Sequence, residues 1–425
     1  MGPERLLGRL MMGFALVLML ILVGCGGESE SDEAGTETTA ALEAGETEAT
    51  AAGTETEAEP VKIGVLNPTT GAQTQNGTDV NTGVKLYFDS IGNEVAGRQV
   101  ELIFEDDASN PQQGLERARK LVENDEVDLL MGVVHSGVGV GVAEYAAQQQ
   151  VPYIVTCAGA NAITGPDSSP YVFRTAETNG QRNLVIGWYT GAELGKKKAA
   201  VFSWDFIAGK EHADAFTESF EATGGEVVYN IATPLPTQDF GPFLSQVDKS
   251  KIDVIYAFFA SADAIRFVQQ LREFGFTPEV QVVEQGSLTE DEILPEQGES
   301  AVGVIGTTCY TASLDNPVNA KFKELYAEVA DREPGWYVYQ GYVGAQVAAA
   351  AIEAVGGNLT DTQAFLDAIA SVKVEGPGGP LMFDDRGQAI LNQYVVQVKK
   401  GSDGYYHEVM DEMPAVDQDW QPPSQ

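Results

Sequence analysis

From Val61 onward, short runs of β-branched residues alternate with stretches whose apolar residues recur at helical spacing. That alternation is what a parallel sheet covered by helices on both faces requires. Val61-Lys62-Ile63-Gly64-Val65-Leu66 reads as a strand. In the helix that follows, Val80, Val84, Tyr87, Phe88 and Ile91 fall at i, i+4, i+7, i+8 and i+11, on one buried face. A strand over 99–104 comes next, then Asn110 as an N-cap and Pro111 at the first helical position, with Leu115, Ala118, Leu121 and Val122 facing inward. The spacing predicts a strand over 127–134, a helix over 138–149 and a strand over 151–156. A second set begins after Arg174, with helices over 181–194, 209–223 (burying Ala213, Phe216 and Phe220) and 262–274. Its strands cover 198–204, 226–231, 253–259, 280–283 and 302–308. Helices over 316–331, 337–355 and 361–372 and a late strand over 393–399 complete the pattern, without a tandem repeat.

The fold class is therefore α/β with doubly wound parallel sheets. The patterned part, roughly 360 residues, exceeds the size at which a single core stops growing, so two lobes are expected.

Ahead of this part, Arg5 and Arg9 precede an uncharged apolar run over 10–23, short for a membrane span and placed like a secretion signal. Residues 1–24 read as that signal. Leu22-Val23-Gly24-Cys25 resembles the bacterial lipobox, in which the cysteine thiol accepts diacylglycerol and becomes the mature N-terminus. The alternative is an ordinary membrane anchor with an incidental cysteine. Between Glu28 and Glu59 there are eleven acids and no Lys or Arg, with little apolar surface to offset the entropy of ordering. Residues 25–60 read as a disordered acidic tether, which suits a lipoprotein.

Of the net charge of -38, the first 24 residues contribute +1 and the tether -11, leaving about -28 on the remainder. Such a surface repels nucleic acid and anionic headgroups, so no nucleic-acid partner and no polyanionic cargo are expected. Besides Cys25 only Cys157 and Cys309 are present, and His135, His212 and His407 are scattered. Neither a disulfide framework nor a metal-ligand cluster is implied.

In open parallel sheets, ligands sit beyond the carboxyl ends of the strands, where helix N-termini offer unpaired N–H groups. Three loops qualify in the first set: 68–77, 135–139 and 157–164, all rich in small residues. Asn76 can offer its amide to a ligand or cap the next helix.

Several fragments in this order resemble the leucine/isoleucine/valine-binding family, the type I periplasmic binding proteins of ABC transporters. They are Ile63-Gly64-Val65-Leu66 with Thr70-Gly71-Ala72, Gly97-Arg98-Gln99-Val100-Glu101-Leu102, and Asp106-Asp107-Ala108 with Asn110-Pro111. Phe173-Arg174-Thr175, Gly224-Gly225-Glu226-Val227-Val228 and Gly379-Pro380-Leu381-Met382-Phe383-Asp384 continue the series. The resemblance implies a Venus-flytrap: two doubly wound parallel-sheet lobes joined by three hinge crossings. Lobe 1 would comprise 61–176 plus 311–380 and lobe 2 would comprise 177–310 plus 381–425. It implies a monomeric, exported protein, lipid-anchored to the outer face of the cytoplasmic membrane. Its lobes would close on a small molecule and be read by an ABC permease.

The family's carboxylate-binding serine loop matches Gly132-Val133-Val134-His135-Ser136-Gly137, and its second loop matches Ala158-Gly159-Ala160. The resemblance thus implies that Ser136 and the backbone N–H groups of Ala158 and Ala160 grip a carboxylate, at about 1.5–3 kcal/mol per charge-assisted hydrogen bond. Ser136 as a plain helix N-cap is the competing reading, and His135 is either a ligand contact or a loop-packing residue. In the second lobe, Ala208 stands where an aromatic ring is common, so Trp204 or Phe206 would substitute. Phe258 and Phe259 point to opposite faces of a strand, one to the core and one to the cleft. The acid that pairs with an amino group in amino-acid-binding members falls at Gln285, beside Glu284. A neutral amide leaves a buried ammonium poorly compensated. The ligand is therefore expected to be an amino acid or an aromatic or aliphatic carboxylate.

Two other classes compete. The same clam-shell can report a ligand to a signalling partner as an extracellular sensor. An enzyme with a Rossmann-like nucleotide site is suggested only by Gly137-Val138-Gly139-Val140-Gly141, a loose echo of a dinucleotide-binding turn. No triad can be built from His135 and Ser136, which are adjacent at a strand end with no acid to orient the histidine. No cofactor is implied and no catalysis is expected.

Overall fold

Residues 59–421 are described in a computed structural model of the chain; the signal segment, Cys25 and the tether up to residue 58 lie outside the described residues. The chain runs through β1 (Val61–Leu66), α1 (Thr74–Ser90), β2 (Glu94–Val95), β3 (Arg98–Glu105) and α2 (Pro111–Glu123). It continues with β4 (Leu129–Gly132), α3 (Ser136–Gln149), β5 (Tyr153–Val155) and β6 (Val172–Arg174). These strands form one sheet in the order β2-β3-β1-β4-β5-β6. It is parallel except for the short β2–β3 pair. Strand β1 sits centrally, with Ile63, Val65 and Leu66 fully buried by helices on both sides, as its near-continuous apolar run requires.

The second set is α4 (Gln181–Ala192), β7 (Lys198–Trp204), α5 (Ile207–Ala222), β8 (Glu226–Thr233) and α6 (Gly241–Leu244). After it come β9 (Val254–Phe258), α7 (Ser261–Glu273), β10 (Gln281–Glu284), α8 (Leu294–Gln297) and β11 (Ile305–Thr308). The chain then forms α9 (Pro317–Ala327), α10 (Trp336–Ala354) and α11 (Thr362–Ala370), and ends in β12 (Val374–Gly376), β13 (Gly379–Phe383), β14 (Ala389–Lys400) and β15 (Tyr405–Val416). The second sheet has the order β12-β13-β14-β11-β10-β9-β7-β8, with β15 paired to β14.

Helices α9 to α11 follow the second set in sequence but share a core with the first sheet. The chain therefore crosses between lobes after β6, after β11 and again around β12 to β14. Arg174 holds two of these connections together. Its backbone N–H donates to the Gly387 carbonyl at 2.8 Å and its Nε to Gln388 Oε1 at 2.7 Å. Its Nη1 reaches the carbonyls of Ala158 (3.1 Å) and Ala160 (2.7 Å). Helices α1 and α10 cross at bare backbone: a Cβ on Gly83 would lie 2.0 Å from the Val338 carbonyl oxygen, and one on Gly341 would lie 2.0 Å from that of Val80.

Several expectations need correction. The second sheet is parallel only from β7 to β11; β14 pairs antiparallel with β11, β13 and β15. The sequence pattern misses β15, whose exposed face is crowded with acids and so carries no simple alternation. Strand β12 lies within the stretch expected for lobe 1, yet it pairs with β13. Ile91 falls just past the end of α1 and is 39% exposed, so the inner face ends at Phe88. Gly137, Gly139 and Gly141 all lie inside α3, where a nucleotide-binding turn would need them ahead of the helix. Among the described residues no helix is long and apolar enough to cross a membrane.

Candidate functional site

The loops after β1, β4 and β5 and those after β7, β9 and β10 meet the start of α10 around one narrow cavity, with room for water-sized groups of only about 40 Å³. Ser136 and Gly159 line it from one lobe, and Trp204, Phe206 and Phe258 from the other. Five of the ten sequence-predicted ligand residues thus come together.

Trp204 ends β7, where its indole Nε1 donates to the buried Asp263 Oδ2 at 2.9 Å. So anchored, its ring meets Phe258 edge-on at 5.3 Å. Phe258 stacks on His212 at 3.9 Å, while Phe259 turns away to pack on Phe240 and Phe267. Strand alternation divides this pair between cleft and core as expected.

Ser136 opens α3, but the cap is His135, whose Nδ1 accepts from the Gly137 N–H at 3.1 Å. The Ser136 hydroxyl is left without a hydrogen-bond partner among the described residues and faces the cavity. The His135 ring stacks on Phe206 across the cleft, with centroids 5.4 Å apart and planes at 18°. Burial holds His135 below the usual imidazole pKa, in keeping with a neutral ring that accepts at Nδ1.

The remaining predicted residues stand behind the wall. Asn76 lies inside α1 and does not cap it; its Oδ1 accepts from the Ser261 hydroxyl of α7 at 2.6 Å. The expected grip by the Ala158 N–H needs correction, and Ala160 lies outside the residues lining the cavity. The Ala158 N–H already donates to the Val133 carbonyl at 2.9 Å, and both residues are fully buried with their carbonyls turned to Arg174. Gly159 is required by close approach: a Cβ there would lie 2.1 Å from Asn179 Oδ1. Gln285 reaches the cavity only through others, accepting from Arg182 Nη1 at 3.2 Å and donating to Ser287 Oγ. Glu284 turns its carboxylate into its own loop, accepting from the N–H groups of Gly286 and Leu288.

Residues 60–404 match the periplasmic binding protein family. The chain belongs to that family, in its leucine/isoleucine/valine-binding type I branch. A relative called Leu/Ile/Val-binding protein homolog 6, from Brucella melitensis, is 31% identical over 82% of this chain and 90% of its own length. An ABC transporter substrate-binding protein from Sphaerobacter thermophilus superposes with a TM-score of 0.81 at 35% identity, covering 84% of this chain and 99% of that one. A solute-binding protein of an ABC transporter from Rhodopseudomonas palustris BisB5, in complex with 3,4-dihydroxybenzoic acid, gives a TM-score of 0.80 at 31% identity, covering 85% and 99%.

Sequence reasoning missed half of this binding protein's cavity wall. Trp336 and Tyr337, at the start of α10, close it from the first lobe, and Arg182, Asn179 and His212 enter from the segment after β6 and from α5. Burial and the nearby Arg182 keep His212 well below the ordinary histidine pKa, so its ring is neutral. Burial pushes the Cys157 thiol up to about 12, so it lines the cavity as a small neutral group. Among the described residues lining the cavity there is no Asp or Glu. One signal was available: Gln181-Arg182-Asn183 is a polar triplet opening a helix, and all three residues are buried.

Proposed function

We propose that this chain is the lipid-anchored, extracytoplasmic solute-binding component of an ABC transporter and takes a small hydrophobic carboxylate between its lobes. The observation that carries the reading is the cavity: aromatic on several sides, placed beyond the carboxyl ends of both sheets, and without an acid among the described residues that line it. Trp204, Phe206 and Phe258 sandwich the apolar body of the ligand, while the Ser136 hydroxyl donates to a ligand oxygen. The dihydroxybenzoate held by the Rhodopseudomonas neighbour supports an aromatic acid. The name of the Brucella relative supports a branched-chain amino acid instead. Cys25 would carry the anchor, and residues 25–60 would let the lobes reach a permease.

Thermal shift of the purified full chain against benzoates, phenylalkanoates, branched-chain acids and amino acids tests this reading. At about a hundredfold over Kd a ligand specific for the folded state stabilises it by about 2.7 kcal/mol. A shift with a carboxylate that is lost in Trp204→Ala and reduced in Ser136→Ala is the expected result. A carboxylate shift indifferent to both substitutions rules out this cavity as the site.

A further inference from the structure

Building on the cleft reading above, we propose that Arg182 sets the charge selectivity of the cavity: its guanidinium takes the ligand carboxylate, and a ligand carrying an α-ammonium group is refused. Arg182 is the second residue of α4, 7% exposed, and the one Lys or Arg among the described residues lining the cavity. Its guanidinium lies over the Trp336 ring at 3.9 Å, which fixes the plane in which its N–H groups point.

Those donors are under-used. Nη1 reaches Gln285 Oε1 at 3.2 Å and Nη2 approaches Glu177 Oε2 only at 3.5 Å. Nε is buried and has no partner among the described residues. A buried donor left unpaired is costly, so an entering carboxylate gains by supplying the missing acceptor. An ammonium meets the opposite situation. Glu177 stands nearest in charge, but it faces Arg182 and its Oε1 is taken by Gln393 Nε2 at 2.9 Å. The Gln285 oxygen is turned to Arg182 as well, and the buried Glu290 near Arg182 has its carboxyl pushed up by burial and by the neighbouring Glu292, so an ammonium would be buried beside a cation with only the Arg182-facing Glu177 to meet it.

Matched ligands that differ only in the amino group test this: 3-phenylpropanoate against phenylalanine, and 4-methylpentanoate against leucine, titrated calorimetrically into the full chain. The wild type is expected to bind the acid of a pair at least tenfold tighter than its amino acid. Loss of a charge-assisted pair in Arg182→Gln should weaken acid binding by roughly ten- to a hundredfold and narrow that ratio, with Arg182→Lys in between. Gln285→Glu places a carboxylate against Arg182 and should move the ratio toward the amino acid, a readout that survives if Arg182→Gln fails to fold. A wild type that prefers the amino acid, or a ratio indifferent to both substitutions, overturns the assignment of Arg182 and leaves the cleft reading standing. If neither member of either pair binds, nor any benzoate, the cleft reading falls with it.

Discussion

Asn76 of α1 and Ser261 of α7 are joined across the cleft by a single hydrogen bond of 2.6 Å, from the serine hydroxyl to the asparagine carbonyl oxygen. Ser261 holds φ at 52°, a left-handed conformation that a side chain rarely adopts. A bond that exists only when the lobes meet contributes to closure and not to the fold of either lobe. Asn76→Ala should therefore weaken ligand binding by roughly two- to tenfold, one ordinary hydrogen bond, with the unliganded melting temperature nearly unchanged. Ser261→Gly removes the same bond while suiting the backbone, so it should lose affinity without losing stability. Equal affinity in wild type and both variants would show that the bond does not contribute to closure.

Asp263 is the anchor of the aromatic wall. Its Oδ2 accepts from Trp204 Nε1 and from the Thr237 N–H at 2.8 Å, and its other oxygen pairs with Arg266. Asp263→Ala orphans two buried donors and should cost about 2–4 kcal/mol, measured as a lower urea midpoint at unchanged m-value. Because Trp204 also loses its orientation, ligand affinity should fall more than in Asn76→Ala. A variant as stable and as tight-binding as the wild type would show that ring packing alone holds the indole.

The βαβ rhythm was legible in the sequence because buried parallel strands and their helices repeat apolar residues at fixed periods, as Val80, Val84 and Phe88 do on α1. Asn110 caps α2 through the N–H groups of Gln112 and Gln113, an arrangement readable from the Asn-Pro pair alone. The cavity was half legible. Trp204, Phe206 and Phe258 sit at strand ends, where position follows from local periodicity. Arg182 was not legible, since its setting is made by Glu177, Gln285 and Trp336, drawn from separate segments and brought together only by the lobe crossings. The exposed acids of β15 hid a strand whose partner, β14, supplies nearly all of the apolar pattern.

The α1–α10 crossing yields a stability prediction independent of the ligand. A methyl group on Gly341 has no room against the Val80 carbonyl, and backbone on both sides cannot yield cheaply. Gly341→Ala should destabilise by about 3 kcal/mol or more. Gly141 on α3 has nothing within reach of an added Cβ, so Gly141→Ala should be neutral or stabilising by up to about 1 kcal/mol. Thermal unfolding of the two variants side by side separates close packing from helix propensity; equal effects would refute the crossing geometry.

Asp107 gives the pH dependence. It is fully buried, one oxygen accepts from the Ser109 N–H at 2.7 Å, and the other has no partner among the described residues. Burial, reinforced by the neighbouring Asp106 and opposed by the Ser109 bond, pushes its carboxyl up to about 7. A folded-state pKa above the unfolded value of about 3.9 means that the folded form holds the proton more tightly. The resulting stability is complete below the unfolded pKa and is lost as pH rises through about 7. Asp107→Asn keeps an acceptor for Ser109 and never ionises. It should therefore be more stable than the wild type at pH 8, by an amount of order 1–3 kcal/mol, with the advantage shrinking toward pH 5. Urea unfolding of both proteins at pH 5, 6.5 and 8 measures the convergence. Parallel curves across that range would mean that Asp107 does not carry the proton in the folded state.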